Sequence, residues 1–144
     1  MTAVIDASVI VKWLLQDPER EPDTDKATAL LESVVKGEIA ILQPVHWLVE
    51  VAAVLARVTP QTAVEDIDKL AAMEFPTTNE PHVLRRAAQL AIDTGQHLFD
   101  TLYHAVALEN PDTVLVTADN RYREKVAQQH REVVALRNWV PLAP

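Results

Sequence analysis

Four carboxylates stand at separated points of the chain, in positions where apolar or neutral side chains are usual: Asp6, Glu50, Asp100 and Asp119. Asp6 follows the apolar run 3–5, and Asp119 follows the apolar run 114–118. Each of these two acids is therefore expected at the carboxyl end of a buried strand. Because ligands of open α/β sheets bind beyond the carboxyl ends of the strands, we expect both acids to line one site.

Glu50 is the only acid in the otherwise almost wholly apolar segment 44–58, which is predicted to be a helix. No orientation of such a helix keeps one carboxylate reliably in water, so Glu50 needs a partner. Any single acid, such as Asp100, could instead be a helix cap or a surface charge. The four together are better explained as one metal site.

The physical reason for a metal is charge. Two carboxylates about 4 Å apart repel by roughly 4 kcal/mol at an effective dielectric constant of about 20. A cluster of four would protonate or spread apart unless a cation neutralised it. The chain has no cysteine, and an all-oxygen ligand set suits Mg²⁺ or Mn²⁺ better than zinc.

Length and composition favour one catalytic domain spanning residues 1–144. A chain of 144 residues with 49% hydrophobic content is sized for one core. The apolar opening segment 1–16 carries Asp6 and Lys12, so it is predicted to be a strand and a helix rather than a signal peptide. No run approaches the ~20 apolar residues of a membrane span. The absence of cysteine makes a cytoplasmic location the default expectation.

The net charge sets a constraint on any nucleic-acid partner. At −8, the chain cannot hold nucleic acid by bulk electrostatics. Local cations would have to do so, and Arg121 and Arg123, which follow Asp119 directly, are candidates for contacts to RNA phosphates. The alternative, weighed evenly, is that these arginines form a solvated helix face.

Hydrophobic periodicity and turn residues predict alternating strands and helices. Strands are predicted at 3–5, 39–42, 114–117 and 133–136, with an edge strand at 75–77; helices are predicted at 8–16, 24–36, 44–58, 59–73, 81–94, 100–109 and 120–129. Pro44 is predicted to open the Glu50 helix, and the two glycines to end helices. This alternation predicts a three-layer α/β/α sandwich with a central, mainly parallel sheet.

Four motifs in this order resemble the PIN-domain family, specifically the VapC-type toxins of toxin–antitoxin systems. A strand runs into an Asp-x-Ser pair at 4–8, and a Glu lies inside an apolar helix after a proline at 44–55. A helix beginning with Asp and continuing with small and aromatic residues covers 99–107. The last motif is Thr-x-Asp followed by an aromatic residue, at 117–122. The resemblance spans the whole chain.

The resemblance implies a metal-dependent endoribonuclease that leaves 5′-phosphate and 3′-hydroxyl ends. It implies that the four acids bind Mg²⁺ or Mn²⁺ and that Ser8 and Thr117 support them through their hydroxyl groups. A cognate antitoxin and a second copy of the chain are the implied protein partners. Thr101, where many relatives have alanine, and Asn120, which offers no further carboxylate, depart from the family pattern.

His46 and His104 each lie four residues from an acid, so each could share a metal with that acid. A hydrogen-bonded histidine is the favoured interpretation of both.

Other functions remain as alternatives. This chain lacks residues that a receiver domain and a dehalogenase-like phosphatase require. A ribonuclease H-like nuclease would begin with an antiparallel hairpin, whereas here a helix is predicted directly after the first strand. A non-catalytic PIN-like interaction module stays open, although such a relative would be expected to have lost an acid. A metal-dependent nuclease or phosphatase outside toxin–antitoxin systems also stays open.

Overall fold

The structure is a computed structural model that describes residues 1–17, 19–126, 130 and 132–141. In chain order the elements are β1 (Thr2–Ile5), α1 (Ala7–Leu14), α2 (Thr24–Val35), β2 (Ala40–Ile41), β3 (Gln43–Pro44), α3 (Trp47–Val58), α4 (Ala63–Ala71), β4 (Thr77–Thr78), α5 (Pro81–Thr94), α6 (Leu98–Leu108), β5 (Thr113–Thr117), α7 (Asn120–Val126) and β6 (Val133–Ala135), followed by a 3₁₀ turn at Leu136–Asn138.

Four strands form a parallel sheet in the order β2-β1-β5-β6. β1 and β5 lie at its centre in a register that pairs Ile5 with Val116. Both are short runs of β-branched and other apolar residues that are buried over most of their length. Strands of this kind require helices on both faces of the sheet. The predicted α/β/α class with a mainly parallel sheet is therefore confirmed.

The helices pack in groups around this sheet. α6 contacts β1 and β5 and is covered by α5, while α1 contacts β5, α2 and α3. Trp13 and Trp47 are buried, and the indole N–H of Trp13 donates to the carbonyl of Ala27 at 2.9 Å. Among the helices of the described residues, none combines the length and apolar composition that crossing a membrane would require.

Most predicted boundaries lie within two residues of the observed ones, but the helix predicted from residue 59 begins at Ala63, and the Glu50 helix does not begin at Pro44. Pro44 instead lies in β3, a two-residue strand that pairs in parallel with β4. The edge strand predicted at 75–77 is observed at 77–78, because pairing with β3 fixes its register. The predicted end of the last helix, at 127–129, lies outside the described residues.

Candidate active site

Asp6 lies at the carboxyl end of β1 and caps the amino terminus of α1. Its Oδ2 accepts a hydrogen bond from the backbone N–H of Ser8 at 3.2 Å, and the Ser8 hydroxyl donates to the same oxygen. The Thr117 hydroxyl, from the end of β5, lies 3.3 Å from this oxygen and donates to it. One carboxylate oxygen therefore has three donors, which fix the orientation of the Asp6 side chain.

The same hydroxyl groups connect the ends of β1 and β5. The Ser8 hydroxyl oxygen accepts from the N–H of Ala118 at 3.1 Å, and the buried Thr117 hydroxyl accepts from the N–H of Asp119 at 3.0 Å. Asp119 in turn caps the start of α7, because its Oδ1 accepts from the N–H of Tyr122 at 3.1 Å. The two strand-end acids are thus held in one hydrogen-bonded unit at the topological switch point of the sheet.

A buried glutamine fixes the last residue of β1. The Gln43 side-chain oxygen accepts from the N–H of Ile5 at 2.8 Å, and its amide nitrogen donates to the carbonyl of Ile5 at 2.8 Å. Gln43 is completely buried. It satisfies both backbone groups of Ile5 beyond the point where β2 ends, and so positions the backbone immediately before Asp6.

Glu50 lies in the first turn of α3 and has two partners. The Tyr103 hydroxyl donates to Glu50 Oε2 at 3.1 Å, and His46 Nε2 lies 3.4 Å from Glu50 Oε1. His46 Nε2 also lies 3.0 Å from the carbonyl oxygen of Phe99, so this histidine is hydrogen bonded, as predicted. Tyr103 was missed as a site residue, although its position three residues after Asp100 places both on one helical face.

Burial and repulsion by neighbouring acids raise the pKa values of Asp6 and Asp100. Burial raises the pKa of the Asp6 carboxyl from its usual 3.8 to about 6; the hydrogen bonds from Ser8 oppose this, and the charges of Asp100 and Glu50 add to it. The pKa of Asp100 is also raised, by burial and then by Glu50 and Asp119. Tyr103, buried beside these acids, has a raised pKa and stays a neutral donor. The four predicted acids therefore share one electrostatic environment.

The four carboxylates are coupled, but they do not close around one point. No three of them bring oxygen atoms within 4.8 Å of one another, whereas such a group of three does occur elsewhere among the described residues. The donor set is all oxygen, and a divalent cation would reverse the raised pKa values of Asp6 and Asp100, so the residues fit a Mg²⁺ or Mn²⁺ site.

The two candidate arginines differ in their surroundings. Arg121 is exposed at the start of α7, and Arg123 is half-buried one turn from Asp119. The Nε of Arg123 is enclosed and has no hydrogen-bond partner among the described residues. Arg123 is therefore not part of a fully solvated helix face, while Arg121 is.

His104 does not face the acids; it belongs to a separate cluster on the other side of Tyr122. His104 Nδ1 lies 2.6 Å from the Tyr122 hydroxyl, and His104 Nε2 lies 2.7 Å from Glu132 Oε1. Burial, the charge of His130 and that of Arg86 lower the pKa of His104 against the opposing effect of Glu132. The pKa of Glu132 is lowered, because hydrogen bonding and charge from the histidines outweigh its burial.

The sheet and its acidic edge define an α/β protein with a carboxylate site at the switch point of the strands. A sequence model described as "PIN domain" matches residues 3–127 of this chain. The protein therefore belongs to the PIN domain family.

A chain in a solved "Toxin-antitoxin complex from Klebsiella pneumoniae" is similar to this protein, with a TM-score of 0.61 and 20% sequence identity over 93% of this chain and 97% of that chain. At this identity the similarity shows a shared fold. No curated protein sequence matches the chain.

Proposed function

We propose that this protein is a metal-dependent endoribonuclease and the toxin of a type II toxin–antitoxin pair. PIN domains are generally nucleases that use divalent metal ions. The observation that carries the proposal is the charge coupling of the strand-end acids Asp6 and Asp119 with two further acids in the first turns of α3 and α6, Glu50 and Asp100. Residues 1–144 would act as one nuclease domain.

The acids Asp6, Glu50, Asp100 and Asp119 are the proposed ligands of Mg²⁺ or Mn²⁺, directly or through water. Such an ion supplies Lewis acidity, an activated water and charge neutralisation for phosphodiester hydrolysis. The protein contributes orientation. Ser8 and Thr117 hold Asp6 by donating to its Oδ2, and Tyr103 holds Glu50.

The proposed substrate is RNA, bound through local cations rather than through net charge. Arg123 lies on α7, the helix that Asp119 caps. Its Nε is enclosed and has no hydrogen-bond partner among the described residues. Arg121 adds an exposed positive charge on the same helix. Contacts of this kind position the phosphate backbone and carry no sequence specificity.

A partner that covers the site is supported by exposed apolar side chains next to the acids. Val49 is 71% exposed and precedes Glu50, and Phe99 is 50% exposed and precedes Asp100. The His46 ring packs against the Phe99 ring, with the two ring centroids 5.3 Å apart. Exposed apolar groups beside an acidic site suit an antitoxin segment that is both basic and apolar. The homodimer and the cytoplasmic location stay predictions.

The test is incubation of the purified protein with a total RNA pool, with Mn²⁺, Mg²⁺ or chelator, followed by mapping of the RNA ends. We expect cleavage only with a divalent ion, and 5′-phosphate and 3′-hydroxyl products. Asp6→Asn should abolish cleavage because it removes a charge but keeps a group that can cap α1. Asp68→Asn is the matched control, since Asp68 is exposed on α4.

Cleavage that persists in chelator or in Asp6→Asn would contradict the proposal. Failure of the wild type to cleave any RNA with either metal would favour the non-catalytic interaction module instead.

A further inference from the structure

His104, His130 and Glu132 form a compact cluster outside the acidic site. One ligand atom from each lies within 4.8 Å of the other two, and this is the only such group of three among the described residues. His104 is completely buried on α6, whereas the side chains of His130 and Glu132 are about one fifth exposed. The cluster therefore has a rigid inner ligand and an accessible outer side.

The polar atoms of the cluster converge on one oxygen. His104 Nε2 lies 2.7 Å and His130 Nδ1 lies 2.9 Å from Glu132 Oε1. The two imidazole rings are nearly perpendicular, with centroids 4.5 Å apart. Because an ionised carboxylate only accepts hydrogen bonds, both ring nitrogens act as donors in this arrangement.

We propose that this cluster is a transition-metal site, selective for Zn²⁺ and similar ions, with His104 Nε2, His130 Nδ1 and Glu132 Oε1 as its three protein ligands. Two imidazoles and one carboxylate are an established zinc ligand set that leaves one coordination position open. Ligand atoms of a tetrahedral ion with bonds of ~2.0–2.2 Å lie about 3.3–3.6 Å apart, so each histidine nitrogen would have to move roughly 0.4–0.9 Å away from Glu132 Oε1.

Two features around the cluster support metal binding over a purely structural hydrogen-bonded triad. The Tyr122 hydroxyl lies 2.6 Å from His104 Nδ1, so the nitrogen that does not face the site already has the outer partner that orients metal-bound histidines. On the outer side, His130 lines a cavity of about 220 Å³ together with Asp93 and Arg86. This cavity gives an ion access to the His130 side of the cluster.

Metal binding requires a defined proton movement on His104. In the metal-free arrangement Nε2 carries the proton that is donated to Glu132, and Nδ1 accepts from the Tyr122 hydroxyl. When Nε2 binds a metal, the proton must reside on Nδ1, which then donates to the Tyr122 oxygen. The hydrogen bond between His104 and Tyr122 reverses direction. His130 must likewise move its proton from Nδ1 to Nε2, so neither ring gains or loses a proton.

Metal binding is expected to stabilise the attachment of the start of β6 to the rest of the fold. The carbonyl of Glu132 accepts from the N–H of Leu115 at 2.8 Å, which starts the pairing between β5 and β6. A metal held by His104 would tie this edge strand to α6. Mg²⁺ should not substitute, because it prefers oxygen ligands in an octahedral arrangement.

The test is equilibrium dialysis with Zn²⁺ in the presence of excess Mg²⁺, together with Co²⁺ as a spectroscopic probe. We expect one Zn²⁺ per chain, visible Co²⁺ absorption bands of four-coordinate character, and a change of the His104 tautomer in ¹⁵N NMR spectra. His130→Ala and Glu132→Gln should each weaken Zn²⁺ binding by more than the roughly 10–100-fold typical of losing an outer-shell partner. Glu132→Gln keeps size and a hydrogen-bond acceptor, so the fold should persist.

His82→Ala is the matched control, since His82 is exposed on α5, and it should bind Zn²⁺ like the wild type. Asp119→Asn controls for Zn²⁺ at the acidic site and should also leave binding unchanged. The proposal is overturned if the wild type binds no Zn²⁺, if Glu132→Gln keeps wild-type affinity, or if Asp119→Asn removes the bound ion. None of these outcomes depends on nuclease activity.

Discussion

Two clusters of ionisable side chains lie about one helical turn apart on α6, and they differ in how tightly they close. Asp100 contributes to the acidic site, and His104, four residues later, contributes to the histidine cluster. No three acids bring oxygens within 4.8 Å of one another, whereas the three ligand atoms of the histidine cluster do, with the two histidine nitrogens 2.7 and 2.9 Å from Glu132 Oε1. Both clusters take one residue from the same helix, but the charges of their members differ.

The acidic site consists of groups that repel one another, and only an added cation can draw them together. The histidine cluster contains donors and an acceptor, and its own protons hold it closed. The pKa values show this contrast: burial and neighbouring acids raise those of Asp6 and Asp100, whereas the histidines lower that of Glu132. A site whose acids repel one another is expected to be sensitive to metal, charge and pH.

The largest effect is expected from removing one charge of the acidic site. Glu50→Gln should lower RNA cleavage by more than about 100-fold, because a lost ligand costs more than the roughly 10–100-fold of an outer-shell partner. The metal-free protein should be no less stable, since Glu50 faces Tyr103 and His46 rather than a buried Lys or Arg. Cleavage rates and denaturant unfolding in chelator measure the two effects.

Glu65→Gln is the matched control, because Glu65 lies in the first turn of α4 and is exposed. A loss of several kcal/mol in metal-free Glu50→Gln would mean that Glu50 belongs to an ion pair, since breaking a buried pair costs about 3–5 kcal/mol.

A smaller but still clear effect is expected from metal on stability. Mn²⁺ or Mg²⁺ should raise the melting temperature of the wild type, with a stabilisation of about 2.7 kcal/mol at a hundredfold excess over Kd. The cause is relief of a repulsion that the unfolded chain does not feel. Asp6→Asn should lose this shift. An equal shift in that variant would place the ion elsewhere.

Much of the fold could be predicted from the sequence because its signals are local. The strand before Asp6 and the strand before Asp119 are continuous apolar runs, and the helices end at glycine or begin beside capping residues. The predicted start of α3 was wrong because a proline fits an edge strand as well as the first turn of a helix. The strand forms here because β3 pairs with β4, whose residues lie more than 30 positions away. Local signals do not contain such pairings.

The acids could be proposed from the sequence, but their partners could not. The Gln43 side chain hydrogen bonds to both backbone groups of Ile5, which lies 38 positions earlier in the chain. No local sequence pattern predicts that role for a glutamine. The contact between His104 and Glu132 spans 28 positions. His130 and Glu132 precede a strand in a segment without helical or strand periodicity, so only the tertiary fold brings them together.

A moderate effect is expected from pH on the metal-free protein. The pKa of Asp6 is 3.8 ordinarily and about 6 when folded, so the folded state holds this proton more tightly. The resulting stability is fully present below pH 3.8 and is lost as the pH rises through about 6, with a slope of up to about 1.4 kcal/mol per pH unit.

The lowered pKa values of His104 and Glu132 act in the opposite direction, because both lose stability as the pH falls. The informative quantity is therefore the difference between wild-type and Asp6→Asn unfolding curves in chelator. That difference should decline from pH 4 to 6. A flat difference would mean that Asp6 does not titrate in this range. Asp68→Asn, which is exposed, should track the wild type.

The smallest effect is expected at the arginines, and it tests whether substrate reaches the acidic site along α7. Arg121→Ala and Arg123→Ala should each weaken RNA binding and reduce the log–log salt dependence by about one unit per lost phosphate contact. The rate at saturating RNA should change far less, because neither side chain is a proposed metal ligand. Arg57→Ala, at the far end of α3 from Glu50, is the control.

The two arginines should also differ from each other. Arg121 is exposed and free to move, whereas the Nε of Arg123 is enclosed, so Arg123 has less conformational entropy to lose on binding a phosphate. We therefore expect the larger affinity loss in Arg123→Ala, measured as cleavage rate against RNA concentration at several ionic strengths. If both variants keep the wild-type affinity and salt slope, the bound cation alone must offset the −8 charge of the chain at the site. RNA would then approach the acids over a surface other than α7.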